Sequence, residues 1–172
     1  CEYPIEMTYA LNLKGILDLD VPSGGFAGKA LHIVATSYIA DLSIFGFEVC
    51  SNGNPSSGQE ITFPQISISA GDNILYARDT DAMTSYFGEC SSEFDHILVA
   101  ESQLSYNGDD AFILYENNFD IEQFGVVGVD GTGENWEYMD SWAYKSISGE
   151  WMYGAINCSD NSENTESSLC PY

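Results

Sequence analysis

Positive charge is the scarcest property of this sequence. Four lysine and arginine residues stand against 27 aspartate and glutamate residues, which gives a formal net charge of -23 at pH 7. Nucleic-acid binding relies on Lys and Arg at the phosphates, so this balance argues against a nucleic-acid partner and against an anionic membrane face. Two explanations of the acidity stay open: solubility in salt, where screening weakens repulsion, and binding of divalent cations.

Histidines, long apolar runs and paired-cysteine motifs are also scarce. His32 and His96 are the only histidines, and none of the five cysteines stands in a CxxC pair, which argues against a structural zinc site. The longest apolar runs, such as 124–129, are too short for a transmembrane span. The chain starts at Cys1 without an apolar leader, so we expect that a signal peptide has been removed or the chain shortened.

We expect an extracellular or cell-surface location, where cysteines form disulfides. Proximity along the chain and the flanking loops favour the pairs Cys50–Cys90 and Cys158–Cys170, although four cysteines allow three connectivities. Closing these loops stabilises the fold by about 4 and about 3 kcal/mol in the loop-entropy description. Cys1 is left over, and two roles for it stay open: lipidation, as in a bacterial lipoprotein, or a free or intermolecularly bonded thiol.

Short alternating apolar stretches recur along the chain, at a spacing of roughly ten residues, between clusters of Gly, Asn, Asp and Ser. This pattern is typical of a β-sandwich or barrel. A helix of two turns is predicted after a cap at Asp79 or Thr80, ending at Gly88. Without longer helical periodicity, we expect no βαβ sheet. The predicted strands are 16–19, 30–35, 42–49, 60–63, 66–69, 73–77, 97–100, 111–115 and 120–126.

Motifs for catalysis are missing from the sequence. There is no Gly-x-Ser-x-Gly elbow, and neither histidine has a convincing serine or cysteine partner. Carboxylate pairs of the glycosidase type arise by chance among 27 acidic residues. The loop 128–133 has the wrong glycine order and no lysine for phosphate binding. We therefore predict no catalytic residues and no enzyme.

Calcium is the one candidate cofactor. Asp109 and Asp110 lie in one predicted turn, and Asp130 and Glu134 lie in another. Such turns offer the oxygen ligands that Ca²⁺ prefers, although neither matches the twelve-residue EF-hand loop. The alternative is the ordinary role of aspartate in turns.

Aromatic residues are concentrated near the C terminus, where Trp136, Trp142 and Trp151 alternate with tyrosines. If exposed, these rings could stack on sugars or on a neighbouring subunit. If buried, each would remove about 150–250 Å² from water in a sandwich core. Burial is the preferred interpretation.

Five regions share an arrangement of strands and turns. They are GKALHIV at 28–34, IADLSIFGFEV at 39–49, ISISAGDNILYAR at 66–78, LSYNGDDAFILYE at 104–116 followed by DIEQFG at 120–125, and DGTGENWEYMDSWAYK at 130–145. Together they resemble the lamin-tail domain family, in the version found in secreted marine bacterial proteins. His32 stands where relatives often have an acidic residue, which affects the surface and not the fold.

The resemblance implies an all-β, immunoglobulin-like sandwich with one short helix. It divides the chain into an N-terminal segment at 1–13, the lamin-tail-like sandwich at 14–147 and a disulfide-closed extension at 148–172. Relatives in secreted proteins are non-catalytic modules beside nucleases or other enzymes, or parts of surface proteins. We expect an interaction or structural module at the cell surface that self-associates through sheet edges. The alternatives are a carbohydrate-binding accessory module that takes a glycan partner and, least favoured, an acidic hydrolase.

Overall fold

The chain folds into two β-sheets that pack face to face. The computed structural model describes residues 6–22 and 24–172. The strands are β1 Leu11–Leu19, β2 Gly28–Ala35, β3 Phe45–Cys50, β4 Ile61–Thr62, β5 Asn73–Ala77, β6 His96–Val99, β7 Ala111–Glu116, β8 Phe119–Phe124, β9 Ser141–Lys145 and β10 Trp151–Tyr153, and the helix α1 is Thr80–Phe87. The larger sheet has the order β10-β9-β1-β2-β5-β6, and the smaller sheet has the order β4-β3-β7-β8.

The six-stranded sheet is buried on both faces near its centre. After a bulge between Leu13 and Gly15, Ile16 packs into the core between the sheets, while Leu17 joins a second core on the opposite face. Strands covered on both faces have nearly continuous apolar sequences. The sequences of β1 and β2, LNLKGILDL and GKALHIVA, have this character.

Aromatic rings join the two sheets. The Phe47 ring of β3 lies 5.9 Å from the Tyr76 ring of β5, and the Phe112 ring of β7 lies 4.8 Å from the Tyr106 ring. These rings are buried and meet at steep, edge-to-face angles, a favourable geometry for aromatic pairs. The inner face of the sandwich is therefore a packed aromatic and aliphatic core.

Helix α1 covers the outer face of the six-stranded sheet. The Asp79 side chain caps it by accepting from the Ala82 amide at 2.9 Å, and Gly88, with φ of 56°, ends it. The predicted helix is thus confirmed. The helix packs against Leu17 and Leu75. Its buried residues are Met83, Tyr86 and Phe87.

Most of the predicted strands are confirmed, with shifts of up to three residues at their ends, except that β1 begins five residues before the predicted start at 16. The predicted strand at 66–69 makes only an isolated bridge between Ile39 and Ile68. Strands β9 and β10 were not predicted. Helix α1 connects β5 to β6, and these two strands run parallel, so the sheet contains one βαβ unit among otherwise antiparallel pairs. The six-stranded sheet extends from Leu11 to Tyr153 and so crosses the predicted limits at 14 and 147.

One predicted disulfide is confirmed and the other is wrong. Cys158 and Cys170 are bonded, with their Cα atoms 5.7 Å apart. Neither Cys50 nor Cys90 has a disulfide partner within the described residues. Cys50 ends β3 in the four-stranded sheet, whereas Cys90 follows α1 beyond the far face of the six-stranded sheet. Cys1 and its predicted lipidation or intermolecular bond lie outside the described residues.

Carboxylates of the four-stranded sheet hold the chain that leads into β1. Glu116, which is fully buried, accepts hydrogen bonds from the Thr8 and Tyr9 amides at 2.8 and 2.9 Å. Glu122 accepts from the Leu13 amide at 2.7 Å. Hydrogen bonds to a charged acceptor are stronger than neutral ones, so these contacts fix one sheet against the other.

A buried ion pair lies at the centre of the six-stranded sheet. Asp18 of β1 contacts Lys29 of β2, and both side chains are only 6% exposed. Burial raises the pKa of Asp18, although Lys29 and the amides of Asp140 and Gly108 act in the opposite direction. Lys29 Nζ also lies 5.3 Å from the centroid of the Tyr106 ring. The position is structural, since a buried charge needs such partners.

We predict that Lys29→Met lowers the free energy of unfolding by about 3–5 kcal/mol, because Asp18 is left buried without its counter-ion. Adding Asp18→Asn removes the orphaned charge and should recover part of the loss. Urea unfolding of the two variants at pH 7 measures the difference. Lys14→Met is the matched control, and an equal loss in Lys14→Met and Lys29→Met would contradict the argument.

Candidate functional site

The open edge of the six-stranded sheet is the candidate site. β6 is the last strand of this sheet and pairs only with β5 among the described residues. The Ala100 amide, directly after β6, donates to the Ala77 carbonyl at 2.7 Å. The backbone N–H and C=O groups of successive strand residues point to opposite sides in the plane of the sheet. The groups of Leu98 therefore point towards β5, as the Ala100 amide does, and those of Ile97 and Val99 point outwards. We call this strand and its outward groups the β6 edge.

Packing on both sides holds the β6 edge in place. His96 Nε2 lies 3.0 Å from Asp72 Oδ2, which fixes the start of the strand. Ile97 packs with the core under α1, and Leu98 packs with the core between the sheets. Val99 is 54% exposed. The strand is therefore fixed while its outer side stays open.

The β6 edge is flanked by acidic side chains. Glu93 and Asp95 stand three residues and one residue before the strand, Glu101 stands two residues after it, and all three are exposed. The Asp95 carboxylate accepts from the Asn73 amide at 2.8 Å, which holds it beside β5. Two ends of one short strand thus carry negative charge.

The cations of the chain are engaged elsewhere. Lys29 and Lys145 contact the carboxylates of Asp18 and Glu122. The Arg78 guanidinium donates to the Leu104 carbonyl, and Lys14 Nζ lies 4.6 Å from the centroid of the Tyr144 ring. Since these are all the lysines and arginines of the sequence, none of them neutralises the acids at the β6 edge.

A cavity of about 330 Å³ adjoins the β6 edge on the outer face of the sheet. The C-terminal residue, Tyr172, fills one side of it, and its hydroxyl lies 2.8 Å from His32 Nδ1. The Trp142 indole donates to the Cys170 carbonyl at 2.8 Å, which places the disulfide-closed tail over the sheet. The lining residues are His32, Asn73, Phe87, Cys90, Glu93, Phe94, Tyr144 and Tyr172.

Gly15 is required under this tail. A Cβ atom at position 15 would overlap the Tyr172 hydroxyl. Burial raises the pKa of Tyr172 well above its ordinary value. The phenol therefore stays protonated and able to donate to His32.

Nothing in the local sequence pattern indicates that His32 and Cys90 share a cavity, because 57 residues, with several strands and helix α1, lie between them. His32 Nε2 lies 3.0 Å from Asn73 Oδ1, and Nδ1 contacts Tyr172. Both ring nitrogens are therefore engaged. Burial lowers the pKa of His32 to about 4, with Lys14 acting in the same direction and the Asn73 contact opposing. His32 is therefore a strand histidine whose hydrogen bonds are satisfied within the protein.

The four predicted calcium ligands do not converge. Asp110 is buried, and its carboxylate accepts hydrogen bonds from the backbone N–H groups of Asn52 and Asn107 at 2.8 and 2.9 Å. Asp109 and Asp130 both bind Thr132, through its hydroxyl and its amide, each at 3.0 Å.

Glu134 is exposed in the turn that follows Asp130. Within residues 6–22 and 24–172, no three His, Cys, Asp or Glu side chains are placed to hold a metal ion. These aspartates have the turn and loop roles that were the alternative to calcium binding.

The three tryptophans do not form an exposed platform. Trp136 is buried against Phe124, at a ring distance of 6.0 Å. Trp151 is half-buried against the same ring at 4.7 Å. Trp142 lies on the other face of the six-stranded sheet, against Tyr172. The preference for burial is confirmed for Trp136, and the other two are partly covered by the protein.

No protein-family model, curated protein or solved structure matches this chain. The resemblance to lamin-tail domains therefore stays a prediction from the sequence. In the part of the chain that the structure describes, no helix is long and apolar enough to cross a bilayer.

The amides of Ile97 and Val99 should exchange with solvent at least about tenfold faster than those of Leu98 and Ala100, because only the latter face β5. Hydrogen exchange followed residue by residue by NMR measures this. The Leu31 amide, in the centre of the sheet, is the control for slow exchange. Equal protection at 97 and 98 would show that something covers the edge.

His32 should make stability depend on pH. Its folded pKa of about 4 lies below the ordinary 6.5, so the unfolded chain takes up the proton first. Its contribution is complete above pH 6.5 and is lost as the pH falls towards 4, by about 3 kcal/mol. Urea unfolding at pH 7 and pH 4, compared with His32→Gln, isolates the effect, since the remaining groups titrate in both proteins. The same pH dependence in both would refute it.

Proposed function

We propose that this protein is a non-catalytic interaction module of the extracellular or cell-surface type, an immunoglobulin-like sandwich of the lamin-tail kind, which binds an extended segment of a partner along the β6 edge. The observation that carries the proposal is the open row of backbone groups at Ile97 and Val99 on a strand whose faces are packed. An added strand gains main-chain hydrogen bonds for affinity and side-chain contacts for specificity.

Comparison of the sheet edges supports β6 as the binding strand. β4 and β10 have two and three residues, which are too few to template a long added strand. β8 is longer but contains Asp120 and Glu122, and charges on an edge strand hinder pairing. β6 has the sequence HILV, without proline, glycine or an acidic residue.

The supporting layers make the edge a fixed template. Helix α1 lies over β5 and β6, and the tail closed by Cys158 and Cys170 lies over β1, β2 and β9. An edge held on both faces loses little conformational entropy when a strand is added, so more of the hydrogen-bond free energy remains for binding.

Two kinds of occupant fit this function: a second copy of the chain, or a different protein. A second copy meets repulsion of about 0.4 kcal/mol per pair of charges at 10 Å in water. Self-association would therefore strengthen with salt. The carbohydrate-binding alternative gains no support from the tryptophans, which are packed against the protein's own rings.

We predict that Val99→Pro abolishes binding of a neutral strand-forming peptide, acetyl-TVTVTVT-amide, while Val99→Thr keeps it. Proline removes the outward N–H without touching a bond to β5, and edge positions tolerate it. NMR titration and calorimetry measure binding to each variant, and far-UV circular dichroism checks that each is folded. Binding that is equal in Val99→Pro and Val99→Thr would contradict the proposal.

Light scattering of the same variants in low and high salt addresses the second copy. If the chain self-associates through β6, the assembly should grow with salt and disappear in Val99→Pro. An assembly that persists in Val99→Pro would place the self-association on another surface.

A further inference from the structure

We propose that the natural occupant of the β6 edge is a basic segment: an extended stretch of another protein with Lys or Arg on both sides of an apolar strand. This inference rests on the proposed function and adds the chemistry of the partner. Its basis is the charge at the two ends of β6 together with the lack of free cations in this chain.

Acidic residues stand at both ends of β6. Glu93 and Asp95 lie at one end of β6 and Glu101 lies at the other, whereas the strand between them is apolar except for His96. An added strand of five or six residues would bring its flanking side chains near the exposed Glu93 and Glu101, whereas the Asp95 carboxylate is turned towards β5 and adds negative charge at longer range. Positive side chains there would pair with them, and negative ones would be repelled.

The acidic ends of β6 disfavour pairing with a second copy of the chain. In an antiparallel pairing of two β6 strands centred on Leu98, the end that carries Glu93 and Asp95 in one copy would approach the end that carries Glu101 in the other, so that like charges meet at both ends. No lysine or arginine is free to relieve this, because each of the four already contacts an acid, a carbonyl or a ring within its own chain. A second copy is therefore the poorer occupant.

Binding at the β6 edge must be distinguished from the general attraction of cations to the acidic surface. A net charge of -23 draws any polycation to the surface. Binding at β6 differs from this attraction because it needs the outward N–H of Val99 and a partner that can form a strand. The test therefore varies the charge and the strand-forming ability of the partner separately.

Four peptides form the test set. Acetyl-KKTVTVTVKK-amide is basic and strand-forming, acetyl-EETVTVTVEE-amide is its acidic counterpart, acetyl-TVTVTVT-amide is neutral, and acetyl-KKTVPVPVKK-amide is basic but interrupted by proline. Calorimetry with the full chain at low salt should rank the basic strand-forming peptide about tenfold tighter than the neutral one, since several exposed ion pairs each add a fraction of a kcal/mol. The acidic and proline-interrupted peptides should bind weakest.

Variants of the protein locate the effect. Glu93→Gln with Glu101→Gln should reduce the advantage of the basic peptide to about threefold or less. Asp120→Asn with Glu134→Gln changes the net charge equally at exposed positions away from β6 and should leave the advantage intact. Val99→Pro should remove binding of the basic and the neutral peptide alike, while Val99→Thr should not.

The outcomes separate this inference from the function beneath it. If the neutral peptide binds in a Val99-dependent way and basic flanks add nothing, the basic partner is wrong and strand addition stands. If self-association through β6 at low salt is tighter than peptide binding, the occupant is a second copy and the inference fails. If the proline-interrupted peptide binds as well as the basic strand, or Val99→Pro changes nothing, both proposals fall.

Discussion

The fold depends on how a chain with 27 carboxylates and four lysines and arginines satisfies the acids that it buries. The buried Glu116 accepts hydrogen bonds from backbone amides before β1, and the buried Asp18 contacts Lys29; the half-buried Glu122 accepts from the Leu13 amide. A buried carboxylate without donors would cost several kcal/mol, so each of these contacts is required for the surrounding apolar packing. The same contacts tie the two sheets together and set the position of β1.

This use of scarce cations has a consequence at the surface. Lys29 and Lys145 contact interior or half-buried acids, and Arg78 donates to a carbonyl, so these three cations form no ion pair with the exposed carboxylates. In salt such a surface is well solvated, and it repels copies of itself. The uncharged strand β6 is the break in this coat, and its acidic flanks bias which partner can approach.

The outer layer explains why β6 is rigid although it is an edge. Helix α1 and the tail that ends at Tyr172 cover the face of the six-stranded sheet that a simple two-layer sandwich would leave to solvent. His32 lies under this layer with both ring nitrogens engaged, and the Cys158–Cys170 disulfide closes a loop in the tail. Ile97 of the exposed edge packs into the same core as helix α1, so the outer layer supports the edge strand directly.

Elements that depend on a few neighbouring residues were predictable from the amino-acid order. Period-two alternation predicted most strands, and the Asp79 cap with Gly88 predicted α1, because both signals act over a few neighbouring residues. The acidity also follows from the composition alone, and closeness along the chain predicted the Cys158–Cys170 pair that the structure contains.

The contacts between segments far apart in the sequence depend on the tertiary fold. It separated Cys50 from Cys90 by a sheet, brought Tyr172 to His32, added β9 and β10 to the sheet, and turned Asp110 inwards. It also made β6 an edge, since strand order follows from long-range pairing and no local pattern encodes it. The candidate site therefore could not be read from the sequence, although a strand was predicted at 97–100, one residue from the observed β6.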